Sequence, residues 1–162
     1  MRRRTLSHLD GHGRARMVDV GAKMPTRREA RVGCVVRLSA EAMRAIREHG
    51  LAKGDAFTVA KIAGIQAAKR TAELIPLCHP LPIEHIEITF EPDVKTNEIA
   101  ITACTSTTAK TGIELEAFTA ASVAALALYD MIKAVDPAAT ITDLQLLSKT
   151  GGKQPFMRSA RC

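Results

Sequence analysis

The chain has 162 residues, 46% of them hydrophobic and 25% charged, which suits one ordinary domain with its own core. This balance excludes a mostly disordered chain, and no uncharged apolar run reaches the ~18 residues of a membrane span. The net charge of +6 arises entirely in residues 1–31, where nine Lys/Arg face three Asp/Glu; residues 32–162 carry fourteen of each. Such a basic segment reads as a solvated tail or as a contact to a polyanion. Its start, Met1-Arg2-Arg3-Arg4, lacks the apolar stretch of a secretory signal, so a cytoplasmic protein is expected, with no membrane partner. With no Trp, one Tyr and four Phe, the core must be aliphatic. Base stacking has little to work with, and no nucleic-acid partner is expected. The cysteines, Cys34, Cys78, Cys104 and Cys162, form no C-x-x-C pair, so a structural zinc site is not expected and reduced thiols are.

Residues 1–16 read as a flexible basic arm. Arg31 to Leu38 alternates, with Val32, Cys34, Val36 and Leu38 on one face, and predicts a half-buried strand. Ser39 is placed to cap a short helix from Ala40 to His49, stopped by Gly50. Asp55 is placed to cap a second helix, whose Ala60, Ala63, Ala67 and Ala68 allow close packing. Three prolines within Pro76 to Pro82 exclude a helix interior or central strand and predict a stiff loop. Strands follow from Ile83 to Phe90 and from Glu98 to Thr107, joined by a hairpin connection over Pro92 to Asn97.

Past Lys110-Thr111-Gly112, a long helix is predicted from Glu114 to Val135, ended by Asp136-Pro137, then a strand from Ile141 to Leu147. The tail carries Lys149-Thr150-Gly151-Gly152-Lys153. Strand, helices, strand, strand, helix, strand is the order of an α+β, ferredoxin-like fold: an antiparallel sheet with helices on one face.

The long helix is apolar nearly all round, which predicts burial against a second copy of the chain. Asp130 and Lys133 share a face near its C-terminus, where the dipole disfavours a carboxylate, so they suit either a local ion pair or a site. Glu116 lies only about 40° from Asp130 around the axis but roughly 21 Å along it. If both serve one site, they come from different subunits.

Lys53, ahead of a helix start, suits an anion or simple solvation. His79, locked between Cys78 and Pro80, is a positioned imidazole or a structural one. Cys78 beside it weakly suggests a metal ligand or a nucleophile. Lys149 and Lys153 flank Gly151-Gly152 without forming a P-loop, which favours a phosphorylated small molecule over an NTPase.

Several ordered runs resemble the MoaC family, the cyclic pyranopterin monophosphate synthases of molybdenum cofactor biosynthesis. They are Met17-Val18-Asp19-Val20, Lys53-Gly54-Asp55, Ala63 to Arg70, Ile75 to Leu81, Lys110-Thr111-Gly112, Glu114-Leu115-Glu116-Ala117, Tyr129-Asp130-Met131 with Lys133-Ala134-Val135, and Gly151-Gly152-Lys153. The resemblance covers residues 17–153, taken as one catalytic domain, and leaves the arm 1–16 and the tail 154–162 outside it. It implies a lyase that rearranges a cyclised dihydro-GTP into cyclic pyranopterin monophosphate with release of pyrophosphate. It implies no metal or other cofactor, and a homohexamer, a trimer of dimers, with sites between subunits.

By matched position, the resemblance makes Asp130 the active-site aspartate and Lys133 and Lys53 catalytic lysines. Leu77, Cys78 and His79 become substrate-binding residues, as do Leu115 and Glu116 with Glu114 beside them, and Lys149 lines the same pocket. Such chemistry suits a lysine whose pKa is lowered by burial or by other cations, with Asp130 holding Lys133. Lys53, His79 and Lys149 would stabilise the leaving pyrophosphate. A non-catalytic RNA-binding module on the same sheet is the alternative, with the basic arm as its support.

Overall fold

The computed structural model describes residues 12–48 and 54–159. Lys53, the Gly50 stop, Cys162 and residues 1–11 of the arm lie outside these. The alternation that predicted a first strand runs further back than Arg31: β1 spans Thr26–Arg37. Ala30, Val32, Cys34 and Val36 point to one face and are buried, while Arg31 and Arg37 point to the other. Ser39 then accepts the N–H of Ala42 at 3.2 Å and caps α1, Ala40–Arg47. Asp55 caps α2, Ala56–Lys69, accepting from Phe57 and Thr58 at 3.0 and 3.1 Å. One further turn, α3, covers Thr71–Leu74, and the proline-rich loop follows as expected.

The hairpin strands are longer than predicted. β2 is His85–Asp93 and β3 is Glu98–Ala109, and the turn between them places Asn97 at φ 55°. Here an Asn tolerates the left-handed conformation. The long helix α4 is Glu114–Ile132, ending three residues before the predicted Val135. The chain turns there because Val135 and Asp136 both donate to the Ile132 carbonyl, at 2.8 and 2.9 Å. Asp136 is buried and accepts from Ser39 N at 2.6 Å, tying the end of α4 to the start of α1.

β4 runs Thr140–Thr150, three residues beyond the predicted Leu147, so Lys149 lies in a strand and not in a tail. A short β5, Phe156–Met157, pairs with Ser148 and Lys149, past the expected domain end at Lys153. The sheet order is β2-β3-β1-β4-β5, and every recorded pairing is antiparallel. Leaving out β5, the order and the βα-ββ-αβ sequence are those of the expected ferredoxin-like fold. α2 and α4 pack on one face. The other face of β1, β2 and β3 is largely charged and polar and presents no Phe, Tyr or Trp, and Phe90 turns inward to stack on Phe57 at 5.0 Å.

α4 is long and apolar enough to span a membrane, but half of it is buried within the fold, as in a core helix. Its inward face is small: Ala117, Ala120, Ala121, Ala124 and Ala125 are fully buried. Gly64 of α2 meets this face. A Cβ there would stand 2.7 Å from the Ala120 carbonyl oxygen and 2.5 Å from the Ile88 side chain. Neither the helix backbone nor the core can yield easily, so Gly64→Ala is expected to cost about 1–3 kcal/mol. A urea melt checks this, and a midpoint equal to the wild type's would mean the two helices are not held this close.

Candidate active site

At one end the inner face of the sheet turns polar. On β1 the inward series Val36, Cys34, Val32, Ala30 continues to Arg28, and on β3 the series Ile99, Ile101, Ala103 continues to Thr105 and Thr107. Arg28 stands opposite Thr107, and Lys149 of β4 stands opposite Ala30. The N-terminus of α4 lies above this end. Thr105 Oγ1 donates to the Ile113 carbonyl at 3.2 Å and fixes where the helix begins. No side chain caps that terminus, and its first turn holds Glu114 and Glu116, where the helix dipole favours carboxylates.

A cavity of about 810 Å³ opens here, lined by Lys23, Arg28, Lys110, Lys149 and Lys153 together with Glu29 and Glu114. Five cations against two carboxylates make it a site for an anion. Lys149 Nζ is paired with Glu114 Oε1 at 2.9 Å, so an incoming anion must compete with Glu114 for that lysine. Arg28 Nε is buried without a hydrogen-bond partner. Two glycines in its lining allow close approaches. A Cβ at Gly112 would overlap the Glu114 carboxylate, and one at Gly151 (φ 83°) would overlap the Arg27 carbonyl.

Beside the cavity, Glu116 is buried, with Oε2 unpartnered and Oε1 accepting from the Cys78 thiol at 3.7 Å. Burial pushes the Glu116 carboxyl above its ordinary value, against smaller opposing effects of hydrogen bonds. Burial and the nearby Glu116 push Cys78 up to about 11. Both effects favour the thiol of Cys78 over the thiolate that a nucleophile needs. Among the described residues no group of three or more His, Cys, Asp or Glu is placed to hold a metal ion.

The chain thus brings together Cys78, Glu114, Glu116 and Lys149. His79 and Leu77 are half-buried in the loop that carries Cys78, and Leu115, between Glu114 and Glu116, is exposed. Asp130 and Lys133 are not part of this group. They stand at the other end of α4, both half exposed and paired at 2.7 Å. The hydrogen bond and charge of Asp130 hold the Lys133 ammonium above the ordinary lysine value. A lowered pKa was expected for a catalytic lysine, and in the single chain the shift runs the other way, because the hydrogen bond and charge of Asp130 outweigh the small opposing effect of burial. Sequence reasoning missed Lys23 and Arg28. The signal for Arg28 was its even register with Val32 and Cys34, a charge on an inward-facing position.

The sequence profile of the MoaC family matches residues 17–152. The chain belongs to the MoaC family. It is 52% identical over 157 residues to a cyclic pyranopterin monophosphate synthase of Thermomicrobium roseum, covering 94% of this chain and 92% of that protein. It is 50% identical over 148 residues to the enzyme of the same name from Rhodospirillum rubrum, covering 91% and 89%. The MoaC match takes in the proline-rich loop, the whole of α4 and the cavity lining except Lys153 and Gln154.

The raised Glu116 pKa sets a pH-dependent stability. The unfolded carboxyl ionises near its ordinary 4.5 while the folded one stays protonated to higher pH. Stability is therefore lost as pH rises from there through the folded pKa, and the loss is constant above it. Glu116→Gln removes the ionisation. Its melting temperature should exceed the wild type's at neutral pH, with the gap closing as pH falls to about 4. A gap independent of pH would contradict the burial of an ionisable group here.

Proposed function

We propose that the chain is a lyase that converts a cyclised dihydro-GTP (3',8-cyclo-7,8-dihydroguanosine triphosphate) into cyclic pyranopterin monophosphate, releasing pyrophosphate. The observation that carries this is the family match from residue 17 to residue 152, which spans all of the site but Lys153. The cation-rich cavity at the uncapped start of α4 supports it, because a triphosphate needs such a surround. Forming the cyclic phosphate makes one P–O bond at the α-phosphorus and breaks the one to the β-phosphate. The leaving pyrophosphate gathers charge, which Lys149, His79 and Lys53 stabilise in this reading, with Arg28, Lys110 and Lys153 around them.

Asp130, Lys133 and Lys53 are the catalytic groups proposed. Asp130 keeps Lys133 protonated and in place, which suits a general acid. The substrate is held by Leu77, Cys78 and His79 from the loop and by Glu114, Leu115 and Glu116 from α4. No cofactor enters the scheme. The chain works in the cytoplasm in this reading, on a small molecule.

Asp130 and Glu116 reach one site only in an assembly, because fourteen residues of helix, roughly 21 Å, separate them. We take the assembly to be a homohexamer, a trimer of dimers. The outer face of α4 supports a twofold contact: Leu115 and Leu126 are exposed there, with Phe118, Ser122 and Val123 half-buried between them. Val123 lies midway between Glu116 and Asp130. Antiparallel packing of two α4 helices about it would set each Asp130 over the Glu116 end of its partner. The second subunit would also supply the burial that Lys133 lacks.

Purified protein given the cyclised dihydro-GTP should yield pyrophosphate and the pyranopterin, and Asp130→Ala should abolish both. Product at the wild-type rate from Asp130→Ala would remove Asp130 from the site. Mixing Asp130→Ala chains with Glu116→Ala chains should restore activity at about one site in four if pairing is random. Mixed oligomers that stay inactive would mean that each site is built from a single chain.

A further inference from the structure

The segment Ile75 to Glu84 carries Cys78 and His79 without regular structure. At its start Ile75 donates to the Thr71 carbonyl and Cys78 to the Ile75 carbonyl, at 2.9 and 3.0 Å. At its end Glu84 donates to the Ser106 carbonyl at 3.0 Å, and Glu84 Oε1 accepts from Thr108 N at 3.0 Å. Between these points a side chain of the sheet reaches the loop: Thr107 Oγ1 donates to the Pro82 carbonyl at 2.5 Å. Thr107 is fully buried on β3, in the same cross-strand row as Arg28.

Packing alone does not call for a hydroxyl there. Valine has the same branched shape and needs no partner in an apolar place. The hydroxyl is explained by what it holds. Pro80 and Pro82 fix two of the φ angles between Thr107's anchor and His79, so a carbonyl fixed at Pro82 fixes the direction of the imidazole two residues before Leu81. The same stretch sets how Cys78 meets Glu116 of α4.

We propose that Thr107 is a positioning residue for the reaction: its hydroxyl clamps the Pro82 carbonyl and thereby holds His79 and Cys78 against the start of α4. This rests on the place of His79 in the site proposed above. Thr107 itself does not touch the substrate. It aligns one wall of the site with Arg28, across the strand pair, and so keeps the loop and the cation cavity in one frame.

The test compares Thr107→Val, which keeps the shape and loses the hydroxyl, with Thr107→Ser, which keeps the hydroxyl. The first readout needs no activity. Labelling of Cys78 by a thiol reagent, followed by peptide mass spectrometry, should quicken at least about fivefold in the valine chain as the loop frees itself. The second is turnover, which should fall about tenfold or more in the valine chain and return to within about twofold in the serine chain. In a His79→Ala background Thr107→Val should slow turnover by much less than it does in the wild type, since only its effect through Cys78 is left, a result that general destabilisation would not give. If the valine chain does not fold, Thr107→Ala takes its place beside the same serine chain. Cys78 labelling at the wild-type rate, a serine chain as slow as the valine chain, or multiplying losses with His79→Ala would each overturn the clamp. If the wild type makes no product, the site reading fails, and the Cys78 labelling alone decides the clamp.

Discussion

The close approach of α4 to α2 and to the sheet is the constraint on which the rest depends. Five fully buried alanines and Gly64 let helix backbone meet helix backbone with almost nothing between them. Cys34 even reaches the Ala121 carbonyl with its thiol at 3.7 Å. Small side chains lose little entropy on burial and bring many atoms into dispersion range. They also hold a nineteen-residue helix rigidly, and a rigid helix is what allows chemistry to be placed at both of its ends.

At the N-terminal end, packing hands over to electrostatics. The same cross-strand rows that are Val, Ile and Ala in the middle of the sheet become Arg28, Thr105, Thr107 and Lys149 at its edge. Thr105 fixes the start of α4, and the glycines at 112 and 151 allow the Glu114 carboxylate and the Arg27 carbonyl to approach where a Cβ would stand. The resulting cavity has excess positive charge, a helix terminus with no capping side chain and one desolvated carboxyl group beside it. Each of these is unfavourable in an ordinary core. Together they suit a polyanionic substrate whose own charge and hydrogen bonds complete the arrangement.

The C-terminal end of α4 is different in kind. Asp130 and Lys133 are exposed and engaged with each other, far from the cavity, and the helix between the two ends presents an exposed apolar strip. A charge pair in water is worth little and shifts the lysine in the direction that keeps it charged. Its value in the proposed reaction comes from being buried by another subunit, so the assembly, and not the single chain, would set its final protonation.

Much was legible in the sequence. The alternation in β1, the caps at Ser39 and Asp55, the proline-rich loop, the apolar helix and the ferredoxin-like order are all local patterns, and local patterns survive in one dimension. So did the family resemblance, which rests on runs of neighbouring residues. The strand ends were less legible, because only the pairing of β1 with β3 extends β1 back through Arg27-Arg28-Glu29, and only its pairing with β4 draws Lys149-Thr150 into the sheet. The grouping of Cys78 with Glu116 and of Lys149 with Glu114 was decided only by tertiary structure. These residues are 38 and 35 positions apart, and nothing in the chain order sets such distances. The directions of the pKa shifts followed from the same cause. A carboxyl's charge is written in the sequence, but its loss of water is a property of what the fold packs around it.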